Sequence, residues 1–124
     1  MDAKCIEVSV LPKTWLIDID GTIFKHNGHL QGDDQLIEGF QHFINQIQDK
    51  DKIILLTSRT EEYRDVTEKS LKRYSIRFDQ IIFNLPVGER ILINDIKPRG
   101  LKTAIAVNIC RDKFNDIVLK YSDV

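Results

Sequence analysis

The stretch that most constrains this chain is Trp15-Leu16-Ile17-Asp18-Ile19-Asp20-Gly21-Thr22, an apolar run that stops abruptly at two carboxylates, a glycine and a threonine. Its β-branched, aromatic and aliphatic residues predict a strand over Thr14–Ile19, buried on both faces as in a parallel sheet. Side chains alternate along a strand, so Asp18 and Asp20 project to one side and Ile19 to the other. Gly21 lets the backbone leave the strand without side-chain hindrance. Two like charges this close repel unless a cation lies between them. A hard divalent ion with oxygen ligands, Mg²⁺ above all, is the simplest answer.

The rest of the chain reads as support for that stretch. Lys4–Val10 alternates weakly and suits a short lead-in strand, broken by Pro12. Asn27-Gly28 lies between two short segments and predicts a small β-hairpin. Asp33-Asp34 then offers an N-cap. Leu36, Ile37, Phe40, Phe43, Ile44 and Ile47 follow helical spacing. Lys52–Thr57 is a second buried strand, and Ser58 with Glu61 has capping-box spacing for a helix to about Tyr74. Gln80–Phe83, Arg90–Asn94 and Thr103–Asn108 are read as further strands, and Asp112–Tyr121 as a last helix. Strands alternating with helices predict an α/β fold. The expected architecture is a single Rossmann-like domain over residues 1–124, a five-stranded parallel sheet flanked by helices, with a hairpin flap and no cap domain.

Ligand sites in such sheets lie beyond the carboxyl ends of the strands. Three expected strand ends carry oxygen-rich groups: Asp18 with Asp20, Thr57 with Ser58, and Asn94 with Asp95. These are the group types that hold Mg²⁺ and a phosphoryl group. Charge adds little direction. With 18 basic and 19 acidic residues the net charge is −1, which leaves no electrostatic footprint for nucleic acid or an anionic membrane. No apolar run approaches the roughly 20 residues of a membrane span, and the acidic start Met1–Glu7 does not suit a signal peptide. A cytoplasmic protein with Cys5 and Cys110 as reduced thiols is the expectation.

Asp18-Ile19-Asp20-Gly21-Thr22 resembles the DxDGT motif of the haloacid dehalogenase superfamily. Thr57-Ser58-Arg59 after its apolar strand looks like the second motif of that family, and Ile91-Leu92-Ile93-Asn94-Asp95 like the fourth. The resemblance runs in order through essentially the whole chain. It implies a Mg²⁺-dependent phosphomonoester hydrolase working through an aspartyl-phosphate. On this sequence it makes Asp18 the nucleophile and Asp20 the acid/base, with Thr57 bonding a phosphoryl oxygen. The metal would be held by Asp18, the Asp20 carbonyl and Asp95, and backbone N–H groups of Ile19–Thr22 would face the anion. Thr22, Ser58 and Arg59 are the implied substrate-binding residues.

The chain departs from the pattern twice. Leu85 stands where the third-motif lysine is sought, so Lys97 is the substitute, with Lys69 and Lys72 as alternatives. Asn94 precedes Asp95 where relatives carry Gly or Asp, and it adds no charge. The short segments between motifs leave no room for a cap, so the resemblance is to capless members with an open site. Such a site must either accept large substrates or be covered by a neighbouring subunit; the expected partners are a small phosphorylated substrate, a sugar phosphate or nucleotide, and a homo-oligomer that covers the site. Phe24, His26 and His29 are then placed to touch substrate, and Arg59 with Arg99 offers a local basic patch. The competing readings are a binding or regulatory module without turnover, a phosphotransferase on the same site, and a phospho-receiver domain, which would need an aspartate where the third strand instead ends in Phe83-Asn84.

Overall fold

A computed structural model of the chain describes residues 4–114 and 116–123. Among the described residues, five strands form two separate parallel sheets. β1 (Lys4–Ser9) pairs with β5 (Ile117–Ser122), in register from Lys4 opposite Ile117 to Ser9 opposite Ser122. β2 (Thr14–Asp18), β3 (Lys52–Leu56) and β4 (Gln80–Ile82) form the second sheet in that order, with Asp18 opposite Leu56 at the carboxyl end. The α-helices among the described residues are short: α1 (Phe40–Ile44) and α2 (Arg64–Arg73), the latter preceded by a 3₁₀ turn at Glu61–Tyr63.

The core gathers on one face of the three-stranded sheet. Ile17, Ile19, Ile53 and Leu55 are buried there with Phe40, Phe43, Ile44 and Phe114, and Trp15 stands edge-on to Phe43. Burial of this apolar surface supplies the main favourable free energy of the fold. Leu16, one residue out of phase, is exposed. β2 is therefore covered on one face rather than both, and Asp18 shares the open face with Leu16.

The five-stranded sheet flanked by helices is not what forms. Arg90–Asn94 and Thr103–Asn108 carry no strand, and their apolar side chains face solvent, Ile93 at 88% exposure. β-propensity reports fit to a half-buried pleated surface. The two segments pair with no described strand, and Asn94 Nδ2 donates to the Thr103 carbonyl at 3.4 Å instead. The expected terminal helix is β5 instead. Its residues alternate, Ile117 and Leu119 buried and Val118 exposed, which is period two. Asn115, within that expected helix, and Met1–Ala3 lie outside the described residues.

Two turns also differ. Asn27 is left-handed (φ 57°), but it opens a 3₁₀ turn at Gly28–Gln31 and makes no hairpin. Phe24, read as a hairpin residue free to touch substrate, is fully buried and bridges Leu36. The helix expected from Asp33-Asp34 onward begins at Phe40, capped by Gly39 at φ 94°. A Cβ on Gly39 would stand 2.7 Å from the Phe114 carbonyl oxygen, so both the backbone angle and the close approach require glycine. Asp34 caps nothing, because its carboxylate is used elsewhere. In place of the Ser58–Glu61 capping box, Ser58 Oγ donates to the Pro86 carbonyl (3.4 Å) and the Glu61 carboxylate pairs with Arg64.

Candidate functional site

The carboxyl end of β2 and the loop after β3 open into one cavity of about 700 Å³. That is within the roughly 300–1,000 Å³ of small-molecule sites. Asp18, Asp20, Thr22, Ser58 and Arg59 line it, so five of the residues implied by the resemblance converge. His26, His29, Tyr63, Arg90, Ile109 and Arg111 complete much of its wall.

The turn after β2 is tightly wound. Ile23 and Phe24 N–H both reach the Ile19 carbonyl, at 2.9 and 3.1 Å, and Gly21 N–H bonds the Phe24 carbonyl at 2.7 Å. Gly21 sits at φ 83°, a conformation glycine adopts freely. This winding consumes donors. The N–H groups of Ile19, Gly21 and Thr22 all bond backbone carbonyls, so they are not the free anion donors that the motif suggests.

The two aspartates differ in their surroundings. Asp18 is partly open, its side chain 37% exposed, and faces the Arg90 guanidinium at 3.5 Å. Thr22 Oγ1 lies 3.5 Å from its other oxygen. Burial is the largest influence on Asp18 and raises its pKa, helped by the Asp20 charge; Arg90, the Ile19 N–H and Thr22 pull the other way without cancelling it. Asp20 is committed. Arg59 Nη2 donates to Asp20 Oδ1 at 2.9 Å and Arg59 Nε to Oδ2 at 3.1 Å.

Arg59, the implied substrate-binding arginine, has no donor left for substrate. Its side chain is 1% exposed. Nη1 donates to Asp34 (3.1 Å) and Thr67 (2.9 Å), and Nη2 reaches Asp34 as well (2.7 Å), so all five N–H groups are occupied. Burial works against its charge, but the hydrogen bonds and charges of Asp34 and Asp20 outweigh that and hold its pKa above the usual value. Thr57 is also fully buried and lies beneath the cavity. Its hydroxyl accepts the Arg59 N–H at 3.0 Å and lies 3.5 Å from Asp20.

Asp95 and Lys97 do not join the site. Both are exposed in the coil after Arg90, where the Asp95 carbonyl accepts the Thr103 hydroxyl. Lys69 and Lys72 are exposed on α2 and do not line the cavity either. The cation opposite Asp18 is therefore Arg90 rather than a lysine. Among the described residues no three His, Cys, Asp or Glu side chains converge in a way that could hold a metal ion. Asp95 does not line the cavity with Asp18 and Asp20, and Asp18, unlike Asp20, is not held by a bidentate pair with an arginine. One carboxylate with waters and substrate oxygens can still bind Mg²⁺, so the donors fit that looser mode only.

Several participants carried no local signal in the sequence. Asp34 looks like a helix cap and Arg90 like the start of a strand. His29 looks like a turn residue, yet its side chain is 6% exposed and packs edge-on to Tyr63 at 4.7 Å. Its Nδ1, 3.7 Å from Asp20 Oδ1, has no hydrogen-bond partner among the described residues. Burial, then the Arg59 charge, lowers its pKa and favours the neutral ring. No family model, curated protein or solved structure matches this chain. No helix among the described residues is long and apolar enough to cross a membrane. Cys5 and Cys110 are free and exposed.

Proposed function

We propose that this cavity binds a phosphomonoester and hydrolyses it through Asp18. The observation that carries the reading is the Asp18 carboxylate, partly open to the cavity and facing the Arg90 guanidinium. An Asp18 oxygen attacks phosphorus, and the bond to the ester oxygen breaks. The leaving oxygen takes a proton, for which Asp20 is the proposed donor. Water then attacks the aspartyl-phosphate, passes its proton back, and restores the carboxylate as phosphate leaves.

Arg90 can serve both partners in this scheme. A phosphate approaching Asp18 meets like charge, and a guanidinium offers the fork that suits a phosphoryl group. Mg²⁺ belongs to the proposal as an ion that Asp18 would hold with its carboxylate and Asp20 with its backbone carbonyl. When bound, it would supply further neutralisation between nucleophile and phosphate. Leu30, Tyr63, Val87 and Ile109 give the cavity an apolar part for the carbon skeleton of the ester.

The test is release of phosphate from a generic aryl phosphate, with and without Mg²⁺, by the wild type and Asp18→Asn. Loss on the order of 10⁴-fold in kcat is expected for a displaced nucleophile. Equal turnover in the variant would remove Asp18 from the chemistry. A second reading, a module that binds a phosphorylated ligand without turnover, is favoured by one observation. The Asp20 carboxylate is already paired with Arg59, so it starts poorly placed to give up a proton. Ligand binding without phosphate release would select that reading.

A further inference from the structure

Arg111 is built onto the same turn that carries the two aspartates. Its stem crosses Gly21 so closely that a Cβ there would stand 3.2 Å from Arg111 Cγ. The next residue fastens it. Asp112 N–H donates to the Gly21 carbonyl at 2.9 Å, and the Asp112 carboxylate accepts the His26 N–H at 2.7 Å. Asp112 holds φ 60° to do so, an uncommon angle for a residue with a side chain, and one that Asp tolerates better than most. Arg111 thereby lines the cavity, yet it has no ion pair with any described carboxylate.

The charges around the cavity are unequal in availability. Arg59 is neutralised by Asp20 and Asp34, and Arg90 is shared with Asp18. Arg111 is the cation of the wall left without a counter-charge among the described residues. A single phosphoryl group at Asp18 is matched to Arg90 and leaves Arg111 without a partner. The cavity volume of about 700 Å³ is also more than one phosphoryl group requires.

We propose that Arg111 forms a second anion subsite, and that the ligand is a small phosphate ester carrying a further anionic group, a second phosphate or a carboxylate. This rests on the reading that a phosphoryl group binds at Asp18. Phosphate and carboxylate can each offer two oxygens to the planar fork of a guanidinium, so the shared chemistry is a second oxyanion. Gly21 contributes by letting Arg111 lie against the turn.

Calorimetric titration in EDTA with methylphosphonate and methylenediphosphonate tests this, since neither is hydrolysed and they differ by one anionic group. The wild type is expected to bind the diphosphonate at least about tenfold more tightly, equivalent to about 1.4 kcal/mol. In Arg111→Gln the preference should fall below about threefold, with Arg111→Lys between the two. Equal affinities in the wild type, a preference that survives Arg111→Gln, or binding of neither probe would each overturn the subsite. Adding phosphonoacetate, in which a carboxylate replaces one phosphonate of the diphosphonate, separates a phosphate from a carboxylate as the second group. Aryl phosphate turnover without a diphosphonate preference sinks the subsite alone. A preference without turnover sinks only the hydrolytic reading.

Discussion

Arg59→Met is expected to destabilise the protein more than any other single change at the cavity. The wild-type guanidinium spends five N–H groups on Asp20, Asp34 and Thr67. Charge-assisted bonds at about 1.5–3 kcal/mol each would sum to on the order of 10 kcal/mol, as large as the stability of a whole domain. That sum overstates the loss, because burying these charges was itself costly. For the 2.7 Å contact between Arg59 and Asp34, an effective dielectric of about 20 gives roughly 6 kcal/mol of attraction before desolvation is subtracted. Breaking a buried pair by removing one partner costs about 3–5 kcal/mol, and that is the expected loss. The controlling residue is Asp34, whose side chain is 0% exposed and would be stranded, whereas Asp20 reaches the cavity and can hydrate. Urea unfolding of Arg59→Met, Asp34→Leu and the double variant checks this. The double variant should recover most of the loss, since no uncompensated charge remains in the deepest position. A cost under about 1 kcal/mol for Arg59→Met, or no recovery in the double variant, would refute the reasoning.

Asp18→Asn is expected to stabilise the protein at neutral pH. Burial raises the Asp18 pKa above 3.8, so the folded state holds that proton more tightly than the unfolded chain. The associated stability is present at low pH and lost as pH rises through the folded-state pKa. The asparagine removes this penalty, worth no more than about 1 kcal/mol once screening of a partly exposed group is allowed for, and a few degrees in Tm. Thermal unfolding at pH 7 and below pH 3.8 reads it; the gain should vanish in acid, and a lower Tm for the variant at pH 7 would contradict it. Arg90→Gln should tighten Mg²⁺ binding at Asp18, because it removes a guanidinium 3.5 Å away. The Coulomb term at solvent-like dielectric is roughly 1 kcal/mol, hence about fivefold in affinity. Titration with Mn²⁺, followed by water-proton relaxation, measures it, and unchanged affinity would place the ion away from Asp18.

What could be read from the chain in advance depended on whether the determining partner was near in sequence. β2 and β3 were legible because an apolar run and its polar stop are local. Asp18 and Asp20 stand in the cavity wall for the same reason, since strand alternation and Gly21 decide where they project. Arg90–Asn94 and Thr103–Asn108 misled because a strand needs an edge to pair with, and propensity carries no information about whether one is free. Asp34 shows the same limit at a single side chain. Its neighbours make it look like a cap, but a guanidinium 25 residues away claims both oxygens. That pairing follows from burial: once Asp34 and Arg59 are inside, each is stable only with the other. The cavity thus divides its arginines by depth. Arg59, deepest, is consumed in holding Asp20 and Asp34, while Arg90 and Arg111, nearer solvent, are the arginines left for the proposed anion. A motif identifies residue types; the depth at which the fold sets them decides which support the site and which remain to bind.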